Sequence, residues 1–283
     1  MTVDCMNDDT DDGHPSLLYA GDVARLFRMA DKDEYKRARR EFIRASDIDF
    51  RQIAHAGLRA YMRGLFEEWF AYDRPVDESG TTPFDIIAGA MFELDDTVGE
   101  RQYRDFREFS STTFAAWFWI LDANASTRIM SVENLADGRR YEVYAGDFAA
   151  RCDGAKGGSM LVRIACPRGT WRMLGNPNVY LREPNDEDEH HYLSSIIRGW
   201  NPGFPELVGT LFAPHPGLVR KDGTRIVGRA APEGLRAVAV EPCAGHDGRG
   251  VPGMSGLSGL SGLPGLPGED DDPPPRRKRP KRR

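Results

Sequence analysis

Cysteine is scarce in this chain. Its 283 residues include four, Cys5, Cys152, Cys166 and Cys243, none of them paired as Cys-x-x-Cys. That spacing excludes a disulfide framework and a zinc knuckle, and free thiols are expected. Long apolar runs are missing too. The longest, Phe114 to Leu121, stops at Asp122, far short of the roughly 20 residues a helix needs to span a bilayer. The aspartate-rich start, Met1 to Gly13, has neither the positive charge nor the apolar stretch of a secretory signal. A cytoplasmic protein without integral membrane association is the expectation.

Ready-made catalytic signatures are also lacking. Nucleophilic hydrolysis needs a serine or cysteine beside a base, and no Gly-x-Ser-x-Gly is present. Ser110 to Thr113 reads instead as a helix terminator, because such side chains compete for backbone hydrogen bonds. Gly154 to Ser159 lacks Walker spacing and follows no parallel-sheet pattern, so a hairpin loop is expected there and a dinucleotide fingerprint is not. Asp8, Asp9, Asp11 and Asp12 lack a distal glutamate at the spacing of a calcium loop. His190 and His191 follow Glu187, Asp188 and Glu189, but neighbours on a helix diverge by about 100 degrees and do not naturally share a metal. A polar helix start, its acids favouring the positive end of the helix dipole, is the simpler reading. No metal or cofactor is expected. Glu67, Glu68 and Asp73 could be imagined as paired carboxylates for acid and base work. Glu67 and Glu68 diverge, however, and are expected to solvate the outer face while Phe66, Trp69 and Phe70 pack inward.

Aromatic and apolar residues are what the chain does have, concentrated between Leu65 and Leu181. Helical spacing comes first. Ser16 is placed to cap a helix through Val23 and Phe27, and a second runs through Tyr35, Ala38 and Phe42. A long amphipathic run begins at Asp47 and continues to Phe70. Thr82 and Pro83 announce another helix after a loop, and a further one spans roughly Gly99 to Ser110. The period then changes to short strands at Ala115 to Leu121, Thr127 to Glu133, Arg139 to Tyr144, Ser159 to Cys166 and Thr170 to Leu174. Asp137-Gly138 supplies a tight turn between two of them. Five strands are too few for an ordinary sandwich, and closure into a barrel removes unpaired edges.

The expected fold is therefore α+β: an N-terminal helical layer packed with a small five-stranded antiparallel SH3-like or OB-like barrel, then short helices and a disordered C-terminal tail. The expected divisions are an acidic N-terminus at 1–15, a helical subdomain at 16–113, the barrel at 114–183, and short helices with a hairpin at 184–241. A low-complexity linker and basic tail fill 242–283. From Gly253 to Gly268 glycine recurs at every third position, which reads as a flexible spacer and not as a collagen helix, for which it is too short and too poor in proline.

Charge is sharply asymmetric. Seven of the last eight residues are basic, namely Arg276, Arg277, Lys278, Arg279, Lys281, Arg282 and Arg283, so the remainder carries −13 within a total of −6. Such a tail attracts phosphate backbones, acidic lipid or acidic proteins in a salt-dependent way. Within the body the binding signal is local to the last strands, where Arg163, Arg168, Trp171 and Arg172 surround the turn Pro167-Arg168-Gly169. Bases stack on exposed rings and guanidinium groups contact phosphates on small barrels of this kind. The competing reading of Trp171 is a ring at the edge of the core.

The middle of the chain resembles a loosely defined set of uncharacterised bacterial proteins. The shared elements are Trp69-Phe70-Ala71-Tyr72-Asp73, Thr82-Pro83-Phe84, Trp171-Arg172-Met173-Leu174-Gly175 and Val179-Tyr180-Leu181. Some members of that set resemble SEC-C-containing proteins with a cysteine and histidine metal motif, which is absent here. The resemblance implies a helical segment followed by a small β-domain, and it brings no active site.

These features favour a noncatalytic binding or adaptor protein associated with nucleic acid, or with an acidic protein, through the tail. One alternative is a hydrolase or transferase whose site assembles only in three dimensions, for which a pocket joining Glu68 or Asp73 to a histidine or arginine would be the sign. The other is a structural protein–protein interaction module, marked by an exposed aromatic patch on the helical face.

Overall fold

The computed structural model describes residues 15–94, 98–180, 187–213, 215 and 217–230, with the backbone alone for 176–180. The acidic start, residues 231–241 of the segment expected to hold a hairpin, the glycine repeat and the basic tail lie outside the described residues.

Helices come first. α1 (Ala20–Ala30) begins four residues after Ser16, the cap expected from the sequence, with Tyr19 at the cap position and no side-chain cap bond, while the Ser16 amide donates to Asp105 at 2.9 Å. α2 (Lys32–Ser46) is capped by Asp31, whose carboxylate accepts from the Asp33 and Glu34 amides. The run expected to continue from Asp47 is interrupted. Asp47 takes φ 59 and ends α2, a 3-10 turn occupies Phe50–Gln52, and α3 starts only at Ala56 and extends to Tyr72. α4 (Pro83–Leu94) opens with a reciprocal box in which Thr82 Oγ1 accepts from the Asp85 amide and Asp85 Oδ2 accepts from the Thr82 amide. α5 (Glu100–Thr112) then leads directly into the sheet.

The strands are β1 (Phe114–Asn124), β2 (Ile129–Asn134), β3 (Arg140–Tyr144), β4 (Ser159–Ala165) and β5 (Arg172–Tyr180). They close in the order β1-β2-β3-β5-β4, with β4 returning to β1. All ladders are antiparallel except the contact of β3 with β5, a single parallel pair between Tyr144 and Arg172. A short helix, α6 (Asp147–Arg151), sits between β3 and β4, which do not pair, so Gly154 to Ser159 is not the hairpin loop expected. This order closes the small five-stranded barrel expected, with a helix in the connection between its third and fourth strands. β1 serves both neighbours by bending, with a register shift between Ile120 and Asp122. α7 (Glu187–Trp200) and α8 (Phe204–Phe212) complete the described elements. No described helix is long and apolar enough to cross a membrane.

Alternation along β1 explains why its apolar run is unbroken. Ala116, Phe118 and Ile120 fill the barrel with Met130, Val132, Val143, Met160, Val162 and Ile164. Trp117 and Trp119 face outward, yet they too are buried, against the helical core around Phe42, Phe66 and Trp69. Both faces of the strand are covered, so both must be apolar. β4 is buried at every position for the same reason.

The helical core is a mesh of edge-on and stacked rings, Tyr35, Phe42, Phe50, Phe66 and Phe70 lying 5.3–6.4 Å apart by centroid. α8 reaches α2 closely enough that a Cβ on Gly209 would lie 2.1 Å from the Ser46 carbonyl oxygen. Gly209→Ala is therefore expected to destabilise the fold by at least about 1 kcal/mol, since backbone must move to relieve the overlap. A urea unfolding midpoint checks this.

Candidate nucleic-acid interface

Alternation in β4 turns Arg163 outward from the barrel, but α3 covers that face. Its side chain is 0% exposed. Nε donates to Glu68 Oε1 at 2.9 Å, one terminal nitrogen donates to Asp73 Oδ2, and the other to Thr113 Oγ1 at 3.3 Å. The guanidinium also lies 5.1 Å from the Tyr72 ring centroid. Burial pushes the Glu68 carboxyl above its ordinary value, with Arg163 opposing and the Asp73 charge adding to the rise. Burial likewise raises the Tyr72 phenol, whose hydroxyl donates to the Leu18 carbonyl at 2.8 Å. For Arg163, burial favours the neutral form, but the two carboxylates outweigh it and keep the cation. The structure thus joins Glu68, Asp73 and Arg163 in one buried ionic cluster between helix and barrel, so Glu68 does not solvate the outer face and Arg163 is no exposed contact, contrary to both expectations.

Arg168 lies in the loop joining β4 to β5, with φ 53. Its guanidinium grips Asp105 of α5 bidentately at 2.8 and 2.7 Å, and its amide donates to Glu108 at 2.7 Å. The side chain is 28% exposed and the carboxylate nearly buried. This clamp fixes the loop onto the helical layer and sets where β5 begins.

Trp171 is half-buried at the barrel end. Its ring meets Tyr141 edge-on at 4.9 Å and Phe114 at 6.0 Å, filling the gap that the single β3–β5 pair leaves. Its carbonyl accepts from the Tyr144 amide at 2.8 Å. Arg172, the next residue, lays its guanidinium 5.2 Å from the Tyr144 ring centroid. From the β1–β2 loop, Arg128 hydrogen-bonds the Tyr144 side chain and lies near Asp147. Arg151 stacks over Phe148, at 5.0 Å, on adjoining α6.

Arg128, Tyr144, Phe148 and Arg151 were not singled out by the sequence. Their signals are faint: a turn arginine with φ 58 and a tyrosine at the end of an alternating strand. Topology brings them beside Arg172. The loops there are well braced, since Asn124 Oδ1 accepts from Ser126 and Thr127 and the Ala125 amide donates to Asp153.

His190 does not approach a metal cluster. Its Nε2 pairs with Glu133 at 2.9 Å and its ring packs on Trp119. Among the described residues, no three histidine, cysteine or acidic side chains are grouped to hold a metal ion. The seven basic tail residues, Arg276 to Arg283, lie outside the described residues. Comparison of the chain with protein-family models, with curated proteins and with solved structures gives no match.

Proposed function

We propose that this chain is a noncatalytic cytoplasmic protein that binds single-stranded nucleic acid on the barrel edge around Tyr144 and Arg172. The observation that carries this reading is the stack of Arg172 on Tyr144, joined by Arg128 from the β1–β2 loop. Barrels of this topology bind oligonucleotides with strands 2 and 3 and the loops that join strands 1 to 2 and 4 to 5. Arg128 lies in the loop from β1 to β2, Tyr144 ends β3, and Arg172 opens β5 directly after the loop from β4. Rings there accept stacked bases and guanidinium groups contact phosphates, with Phe148 and Arg151 extending the same edge. Trp171 braces the edge, and Arg168 and Arg163 fix its position from behind. The basic tail adds sequence-independent attraction that an otherwise acidic chain lacks.

The test is fluorescence anisotropy with a labelled single-stranded oligonucleotide, comparing the full chain with one ending at Gly250. The shortened chain is expected to keep measurable binding while the full chain binds more tightly. The logarithm of its affinity should fall more steeply with salt, by about 0.7 for each added phosphate contact. Binding that vanishes with the tail would place recognition there and contradict the barrel reading.

One observation favours protein–protein assembly as a second reading. α4 exposes Ile86, Phe92 and Leu94, the last at 85%, beside the Phe92–Tyr103 stack. The enzymatic alternative has the Glu68–Asp73–Arg163 cluster as its motive. Every guanidinium nitrogen of Arg163 already donates to a protein acceptor, so we read the cluster as a lock between layers.

A further inference from the structure

Residues 217–229 cross the helical layer as a strap. Leu218 and Ile226 are buried in its core, the Val219 carbonyl accepts from the Ala54 amide at 2.8 Å, and the Lys221 amide donates to the Gln52 carbonyl at 3.1 Å. Arg229 ties the far end to the Ala45 carbonyl and to Glu206. Two histidines stand where the strap leaves α8 and meets the start of α3. His55 Nδ1 accepts from the Leu58 amide at 3.2 Å and so caps α3, while His215 Nδ1 accepts from the Gly217 amide at 2.8 Å. Gly217 is wedged between His215 and Leu58, because a Cβ there would lie 2.9 Å from the His215 ring and 3.3 Å from the Leu58 side chain.

An imidazole nitrogen that accepts a hydrogen bond must keep its lone pair, so His215 accepts the Gly217 amide with its own proton on Nε2. Protonation turns that Nδ1 into a donor aimed at another donor. The surrounding groups offer an imidazolium little relief. Arg59 of α3 donates to the Ile53 carbonyl, and Arg220 and Lys221 of the strap are cations. The nearest carboxylates along these elements are engaged, Asp49 by Arg51 and Gln52, Asp222 by Thr224, and Glu206 by Arg229.

We propose that His215 is an acid-sensitive latch, in which protonation of its ring withdraws the acceptor of the Gly217 amide and loosens the strap 217–229 from the end of α8. Burial, and secondarily the nearby His55, hold the His215 proton affinity below its ordinary value of 6.5. The open state then binds more protons than the closed one. Closure is fully favoured above that ordinary value and is lost as pH falls through the lower closed-state value.

Hydrogen exchange of the full chain, expressed as protection relative to intrinsic rates, tests the latch. Wild-type strap peptides should lose protection several-fold between about pH 7.5 and 5.5, while barrel peptides hold theirs. In His215→Asn the side-chain oxygen supplies the same acceptor to an amide two residues on without titrating. Its strap protection should be flat across that range. Equal loss in the variant, or a wild-type strap indifferent to pH, would overturn the proposal. A nitrogen-15 imidazole spectrum near neutral pH supplies a second check, which the proposal fails if His215 carries its proton on Nδ1.

Discussion

Arg163→Met is expected to destabilise the fold by about 3–5 kcal/mol, the range for removing one partner of a buried ion pair. The substitution keeps an unbranched stem but strands Glu68 and Asp73 beneath α3, where each carboxylate faced the guanidinium. Coulomb attraction in a buried site is strong, yet most of the loss comes from the unpaired charges left behind. Urea unfolding should show a lower midpoint with an unchanged slope. The deficit should also shrink in acid. Glu68 already has a raised proton affinity caused by burial, and Arg163 is what opposes the rise. Without the arginine it rises further, so the variant is relatively more stable at low pH and loses that advantage as pH rises through the folded value. Adding Glu68→Gln to Arg163→Met should recover part of the loss. A deficit that is the same at every pH, with no recovery, would show that packing and not charge governs this site.

The second large effect is on binding. Tyr144→Ala with Arg172→Ala should weaken capture of a single-stranded oligonucleotide by about 1–3 kcal/mol for the lost ring alone, on the order of 5- to 150-fold. Removing the arginine deletes a phosphate contact and should lower the salt slope by about 0.7. Neither side chain is in the barrel core, so the unfolding midpoint should scarcely move. Lost affinity with unchanged stability separates a contact surface from a structural role.

The α+β architecture was legible because each period was clean. Strands at Arg139 to Tyr144 and Ser159 to Cys166 show up as alternation, and the observed β3 and β4 fall within one residue of those bounds. The closing order was not legible. It rests on the single Tyr144–Arg172 pair and on α6, whose five residues are too few for any helical period to register. The first helix start was misplaced because a serine marks a cap only by residue type, whereas α1 begins after Tyr19 with no side-chain cap at all.

Arginines were the hardest residues to place. Arg163 and Arg172 look alike in sequence, both near the turn at Pro167. Alternation alone puts Arg163 on the outer barrel face, but nothing local reveals that α3 covers it and that Glu68 and Asp73 meet it from 95 and 90 residues away. The same blindness hid Arg128 and Arg151, which acquire meaning only when the barrel closes and carries them to Tyr144 and Phe148. Aromatics were easier, since a ring at helical or strand spacing is core unless the fold leaves that face open. Tyr144 is such an exception, lying outward on the strand beside the inward Val143.

Photo-crosslinking the full chain to a 4-thiouridine-labelled single strand, followed by mass spectrometry of the joined peptides, tests the central claim most directly. The barrel reading predicts crosslinks within 125–151 and at 171–172, around Arg128, Tyr144, Phe148, Arg151 and Arg172, lost together in the Tyr144→Ala, Arg172→Ala variant. Crosslinks confined to Arg276 to Arg283 and unchanged in that variant would contradict it.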